Sequence, residues 1–323
     1  MVTQGNGNGG NAADPTLPGS VMTDTRPCSS DADQRISRRT VLFGVASTLF
    51  AGPTGAFSAT RPPRLAVIDW AAAETMLAFG IIPVGIADRA GFLASFANPG
   101  DIGDAVDLGS LWEPNLELLD MLRPDAIYLA GWSQISKPQL QGIAPVRICD
   151  IHGGGGDPVT RARTFTRNMA IDFPKAPGRR TLEMLDQRLA GLTGRLAPAS
   201  AFVLNLHGNN RFVNVYAEGS LPGSVLGHLG LTNAWQGGVN GFGFAAIGIE
   251  KLMDAPDSSI IILNQGPATV RSLSMLGTNA IWNALPAVRQ GRVHVSPPIS
   301  VFGGLVSAVI LADWLTTAFR DTP

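Results

Sequence analysis

Tyrosine and cysteine are both scarce, with two of each in 323 residues. Charge is scarce too. Charged side chains make up 15% of the chain, against about 25% in an average soluble domain. The 24 basic and 25 acidic residues leave a formal net charge of −1, which gives no support to electrostatic capture of a polyanion such as nucleic acid. Histidine is thin and dispersed. His152, His207, His228 and His294 show no i, i+4 or C-x-x-C partnership, so they compose no metal site and read as loop or surface residues. No G-x-S-x-G elbow occurs, and the four glycines at 153–156 lack the Lys-Ser/Thr of a phosphate loop. No pair of acids stands out as a catalytic couple. Enzyme chemistry therefore gains no support.

What is present begins with a leader. Residues 1–35 are rich in Gly, Asn, Ser, Thr and Asp, too poor in apolar side chains to build a core, and are expected to be disordered. Arg38-Arg39 then precede an apolar run over 41–51 and an A-x-S step at Ala56-Phe57-Ser58. A charged region, a short hydrophobic region and a small-residue cut site describe an export signal peptide. Ser37, Arg38, Arg39 and Leu42 fit the S-R-R-x-x-L arrangement of a twin-arginine signal. The apolar run falls far short of the about 20 residues that span a bilayer, and no later stretch reaches that length. Residues 1–58 are thus read as leader and signal, and the mature chain as soluble and periplasmic. Removing them takes Cys28 and leaves Cys149 alone, which excludes an intrachain disulfide. Cys28 also precedes the apolar run, the wrong side for lipoprotein processing.

The remaining chain reads as α/β in two halves. "RLAVIDW", "IIPVGIAD", the stretch over 126–129 and "PVRICDI" are short β-rich runs. Between them lie helical segments such as "AAAETMLAFG" and residues 114–122. Strands alternating with short helices imply a parallel, doubly wound sheet. A second series follows, with "AFVLNL", "RFVNVYAEG" and "LPGSVLGHLGL". Between the two series, Leu182, Leu185, Leu189, Leu192 and Leu196 recur with spacing 3-4-3-4. That is the stripe of one continuous amphipathic helix, about 30 Å long at about 20 residues. The expected division is an N-terminal lobe over 59–175, a linker helix over 176–197 and a C-terminal lobe over 198–323. The lobes echo one another. "PNLELLDMLRPDAIYLAG" and "IGIEKLMDAPDSSIIILN" each carry an early glutamate, Glu117 or Glu250, then a Pro-Asp step, then an aliphatic strand. Chance similarity of two αβ units is the competing account.

Aromatic side chains cluster at loop positions. Trp70 ends the first strand, Trp112 precedes the helix that carries Glu117, and Trp132 follows the strand over 126–129. Phe242 sits in the Gly-rich "GFGFAA" and Phe302 in "VFGG". Ligands of open α/β sheets bind at the carboxyl ends of the strands, where sequence order puts Trp70 and Trp132. Aromatics there suit a large, partly apolar ligand. The competing reading is that each Trp plugs a core. "GFGFAA" also fits G-x-G-x-x-A, but it follows the polar "TNAWQGGVN" instead of a strand, so it reads as a flexible pocket loop and not as a dinucleotide fingerprint.

Taken together, "RLAVIDWAAAETMLAFGIIPVGIAD", "VDLGSLWEPNLELLDMLRPDAIYLAG", "LTNAWQG" and "LPAVRQGRVHVSPP" resemble the FhuD-like periplasmic binding proteins of ferric hydroxamate uptake. These belong to the wider group of siderophore, haem and cobalamin receptors that feed ABC importers. The resemblance runs through nearly all of the chain after the leader. It implies two Rossmann-like lobes, parallel-rich sheets flanked by helices, joined by a long rigid linker helix, with a ligand in a shallow cleft between them. It implies a carrier with no catalytic residues, no cofactor and no directly bound metal, whose cargo is an iron(III)–siderophore complex. Glu117 and Glu250 match the glutamates with which family members dock on a two-fold permease dimer; the plain alternative is two solvated helix acids. The ligand side departs from the family. Its arginine before "T-E-P-N-L" is replaced by Leu111, its tyrosine after "A-G" by Trp132, the tryptophan of its Gly-rich loop by Phe242, and another tryptophan by Ser300 or a neighbour. Trp70 and Phe302 keep an aromatic at matched positions. Candidate ligand contacts are therefore Trp70, Leu111, Trp112, Trp132, Phe242 and Phe302, with Arg89 or Arg211 as a replacement cation. The implied partners are a ferric siderophore and the permease dimer, with the carrier a monomer. A haem or corrinoid carrier of the same fold is the rival, although only Tyr128 and Tyr216 offer an axial phenol.

Overall fold

The computed structural model describes residues 61–319, apart from 97–98, 134, 136, 207 and 209–210. The predicted leader and signal over 1–58 lie outside the described residues. The first sheet is built from β1 (Leu65–Ile68), β2 (Gly85–Ile86), β3 (Val106–Asp107), β4 (Ala126–Ala130) and β5 (Val146–Cys149). Its order is β3-β2-β1-β4-β5, with every pairing parallel. Helices α1 (Trp70–Ala78), α2 (Arg89–Ser95), α3 (Leu116–Met121) and α4 (Lys137–Gln141) connect those strands. Then come α5 (Pro158–Asp172) and α6 (Arg179–Leu192).

The second sheet contains β6 (Ser200–Leu206), β7 (Phe212–Tyr216), β8 (Thr232–Asn233), β9 (Phe244–Gly248), β10 (Ser259–Asn264) and β11 (Val293–Pro298). Its order is β11-β10-β6-β7-β9, with β8 paired to β6. The β11-β10-β6 part is parallel and β6-β7-β9 is antiparallel. A short connection between β6 and β7 admits only the antiparallel pairing, because parallel neighbours need a crossover. Helix α7 (Leu221–Leu229) follows β7; α8 (Pro267–Leu276), α9 (Ala280–Ala284) and α10 (Pro286–Arg289) lie between β10 and β11; α11 (Leu305–Ala318) ends the described chain.

Alternation along the strands sorts the core into layers. In β1, Leu65 and Val67 face a central cluster, while Ala66 and Ile68 face a second one with Leu119 of α3 and Leu140 of α4. In β6, Ala201 and Val203 face the same central cluster, while Phe202 and Leu204 pack with Leu276 of α8 and Trp282 of α9. Helices α1, α5, α6, α7 and α11 fill the space between the sheets. The two parallel-rich sheets flanked by helices are those expected from the sequence.

The connection between them differs from the expectation. The stripe at 182, 189 and 192 is buried as the spacing requires, but α6 is 14 residues long, about 21 Å at 1.5 Å per residue, not a strut over 176–197. Gly194, at φ +65°, turns the chain in a conformation that cannot continue a right-handed helix. Nor does α6 act alone. α11 packs on α1, α5, α6 and α7, so a helix assigned by position to the C-terminal lobe braces both sheets. The sequence pattern of α11 shows why. Its buried positions run through 305, 307, 308, 309, 311, 312, 315 and 316, a helix apolar on most sides, as befits one enclosed between layers.

Candidate ligand-binding site

Six of the seven side chains proposed as ligand contacts come together. Trp70, Leu111, Trp112, Trp132, Phe242 and Phe302 line one cavity of about 290 Å³, with Ile68, Asp69 and Phe244 completing it. The cavity lies at the carboxyl ends of β1 and β4, against the loops that precede β9 and follow β11. Arg89, the seventh, starts α2 and does not line it. Neither does Arg211. Sequence reasoning missed Ile68, Asp69 and Phe244. Phe244 had a signal, since it stands two residues from Phe242 in "GFGF", and the turn at Gly243, φ +75°, leaves the two rings stacked with centroids 6.4 Å apart.

Each wall has a local cause. Asp69 caps α1 by accepting the Ala72 amide at 2.7 Å, which turns the chain sharply after β1 and leaves Trp70 at the first helical position. The Trp70 indole N–H donates to the Ala87 carbonyl (3.1 Å), and the ring meets Phe92 and Phe96 edge-on. So Trp70 is part core and part wall, and the two readings of that residue were not exclusive. Leu111 and Trp112 ride a tight loop closed by a bridge between Gly109 and Pro114. Trp112 is 64% exposed and packs on Trp132 with ring centroids 4.8 Å apart. Trp132 in turn meets Phe242 edge-on at 5.8 Å, and Phe242 meets Phe302 at 6.1 Å.

The loop that carries Phe242 is not flexible in its hydrogen bonding. Asn240 Oδ1 accepts the Phe242 amide (2.9 Å), and the Gly243 carbonyl accepts the Ala217 amide (2.8 Å). It leads into β9, not a helix, which removes the geometry a dinucleotide fingerprint requires. Close approach of the rings needs a glycine opposite. Gly153, at φ +77°, is that glycine, because a Cβ there would stand 2.9 Å from Phe242 Cε1 and 3.4 Å from Trp132 Cβ.

Behind the rings lies a buried polar layer that sequence reasoning did not find. His152, read as a loop or surface residue, is 5% exposed. Its Nε2 donates to the Gly303 carbonyl at 3.0 Å, and its ring meets Phe302 edge-on at 5.4 Å. Burial holds its pKa down to about 4, so the ring is neutral. Glu74 of α1 reaches the start of α11, where its carboxylate accepts from the Gly304 amide and the Ser307 hydroxyl, both at 2.6 Å. Burial pushes that carboxyl up to about 7, against the lowering pull of those two bonds. Asp69 is raised to about 6 by burial, offset in part by the Ala72 amide and the Cys149 thiol. Cys149 is free and buried, its thiol driven well up by burial and the neighbouring Asp69. Phe302 is thus held from the first sheet's side by His152 and Glu74, through the backbone that follows it. Among the described residues no cluster of His, Cys, Asp or Glu could hold a metal ion, and no helix is long and apolar enough to cross a membrane.

Glu117 and Glu250 both lie exposed in the first turn of a short helical segment. That of Glu117 is α3; that of Glu250 is a 3-10 turn over Ile249–Asp254. Leu119 anchors the first beneath one sheet, and Ile249 and Leu252 anchor the second beneath the other. Both segments pack on the sheet face opposite the shared helices, so the echo in sequence is an echo in placement.

No family model matches the chain. Individual proteins do. The iron(3+)-hydroxamate-binding protein FhuD of Escherichia coli is 29% identical over 280 residues, 85% of this chain and 93% of that protein. The achromobactin-binding periplasmic protein of Dickeya dadantii is 26% identical over 291 residues, 86% and 94% of the two chains. Among solved structures, the Fe3+-Desferal-bound siderophore-binding protein FhuD of Vibrio cholerae superposes with a TM-score of 0.70 at 25% identity, covering 81% of this chain and 99% of that one. In sequence along most of its length and in fold, the chain is similar to FhuD and to other siderophore-binding proteins.

Proposed function

We propose that the protein is the substrate-binding component of an ABC importer for iron. It captures a ferric siderophore outside the cytoplasm and delivers it to a permease dimer in the inner membrane. The observation that carries this reading is the ring-lined cavity at the strand ends between two parallel-rich sheets. Three indoles and three phenyl rings there supply large apolar area, and the iron complex is cargo, not a cofactor. The lining of rings and aliphatic side chains, with Asp69 its one titratable residue, suits a carrier. The wide helical layer between the sheets keeps lobe motion small on loading. Export follows from the similarity to a periplasmic relative and from the leader over 1–58, which we assign as a twin-arginine signal. A monomer docks through Glu117 and Glu250, whose exposed charges meet arginines on the two halves of the permease and set register and encounter rate more than affinity.

The haem or corrinoid alternative is not favoured. Neither tyrosine lines the cavity, both being about 2% exposed elsewhere in the core, and no described histidine lines it. Titration of tryptophan emission with hydroxamate, catecholate and carboxylate iron complexes tests the proposal. A saturable quench by at least one is expected, weakened about 30-fold by Trp132→Ala, the loss that follows from truncating a central aromatic anchor. Unchanged emission across the whole panel contradicts it.

A further inference from the structure

Several rings of the cavity are braced from outside it. Trp70 is held by its bond to the Ala87 carbonyl and by the edges of Phe92 and Phe96. Phe302 leans on the edge of His152, and the Phe242 amide is fixed by the Asn240 side chain. A close-packed wall of this kind does not stretch, so the about 290 Å³ it encloses is a fixed volume. That volume lies at the lower edge of the roughly 300–1,000 Å³ range of drug-sized sites. One limb of a ferric complex fits inside, and the head stays at the mouth beside Trp112, which is 64% exposed.

The chemistry of the lining decides which limb enters. Among the described lining residues there is no Lys, Arg, His, Ser, Thr, Asn or Gln. Asp69 is committed elsewhere: it is 5% exposed, and its carboxylate accepts from the Ala72 amide (2.7 Å) and the Cys149 thiol. The Trp70 indole N–H is committed to Ala87. The interior is chiefly ring carbon, with aliphatic carbon from Ile68 and Leu111. An iron-binding oxygen placed there would give up its water and find no partner, which is unfavourable. A hydrocarbon gives up no hydrogen bond and gains the burial of its surface. Resting on the siderophore-carrier reading above, we infer that the cavity is a subsite for an acyl chain. The substrate is an amphiphilic ferric siderophore, its hydrocarbon tail enclosed by the rings and its iron head at the lip formed by the packed pair Trp112 and Trp132. Volume sets the length of the tail. A methylene takes about the room of a water, roughly 30 Å³, so the cavity holds about eight to ten carbons. A single phenyl group, at six carbons, would leave about a third of the space empty, and such voids are costly.

The test is a set of tryptophan-emission titrations with acylated ferric complexes, each kept below the concentration at which it aggregates. Two heads are used, a linear trihydroxamate and a tricatecholate, each carrying saturated chains of two, four, eight, ten or fourteen carbons. On each head that binds, wild-type affinity should rise at least about tenfold from two carbons to eight, well within the about fourfold that each buried methylene can contribute. Beyond about ten carbons it should level off or fall. Leu111→Trp fills part of the cavity. Whatever it does to the shortest complex, it should reduce the ratio of ten-carbon to two-carbon affinity at least about fivefold. Melting checks that the variant is folded, and the wild-type series stands as the test if it is not. Affinity that ignores chain length overturns the acyl subsite and leaves the carrier function standing. So does affinity that keeps climbing to fourteen carbons, as adsorption to an open apolar surface would, or a ratio that folded Leu111→Trp does not change. Failure of every complex on both heads to bind overturns the carrier function itself.

Discussion

Glu74 makes stability fall as pH rises, and a single isosteric change should show it. The carboxylate is buried (6% exposed) and bonded to the Gly304 amide and the Ser307 hydroxyl. Burial lifts its pKa from an ordinary 4.5 to about 7. An acid with a raised native pKa holds its proton in the folded protein where the unfolded chain has released it. Between those two values the native state therefore binds more protons, and stability declines with pH. The contribution is fully present below about pH 4.5 and gone above about pH 7. A shift of that size corresponds to about 3 kcal/mol at 1.36 kcal/mol per unit. Glu74→Gln removes the titration but keeps the geometry, with the amide oxygen accepting from Gly304 and the amide nitrogen donating to Ser307. The assay is thermal unfolding of both proteins from pH 5 to pH 8.5. The variant should gain on wild type as pH rises, by up to about 3 kcal/mol, or about 6–12 °C in Tm for a domain of comparable size. Asp69 also carries a raised pKa, and its charge adds to the rise at Glu74, so its own titration shifts with the substitution and is part of the measured difference. A gap between the two proteins that does not change with pH refutes the argument.

Three further outcomes follow from the same geometry. Gly153→Ala places a side chain at φ +77° and against Phe242; it should destabilise the protein by about 1–2 kcal/mol and weaken ligand quenching, checked by melting and emission titration. Charge reversal at both Glu117 and Glu250 should leave siderophore affinity unchanged and slow association with reconstituted permease severalfold, with the loss shrinking as salt rises; an equal effect on siderophore affinity contradicts the docking role. Cys149, 2% exposed with a thiol raised by burial, should resist aromatic disulfide reagents in the native protein and react at once in denaturant.

Much of this architecture was legible because its signals are periodic or positional. The alternation of short aliphatic strands with helices reveals the α/β class, and sequence order alone sets Trp70 and Trp132 at strand ends. The spacing at Leu182, Leu189 and Leu192 identifies the buried face of α6, but not its end, because one glycine at positive φ outweighs a hydrophobic repeat that continues to Leu196. The role of α11 was hidden for a different reason. A helix apolar nearly all round says that it is buried, not between what. His152 and Glu74 were illegible because their environment comes from residues far away in the chain, Gly303, Gly304 and Ser307, and a pairwise contact across 151 to 233 positions leaves no local pattern. The aromatic wall escaped only in part, since aromatics in loops announce themselves while the acid between them does not.

The account rests on one claim, that the ring-lined cavity carries a ferric siderophore. Native mass spectrometry of the protein from iron-starved producing cells, grown with two iron isotopes in turn, tests it most directly. The expected spectrum shows one added mass per chain that shifts with the iron isotope and is lost in Trp132→Ala. An adduct free of iron, or an iron adduct that Trp132→Ala leaves in place, contradicts it.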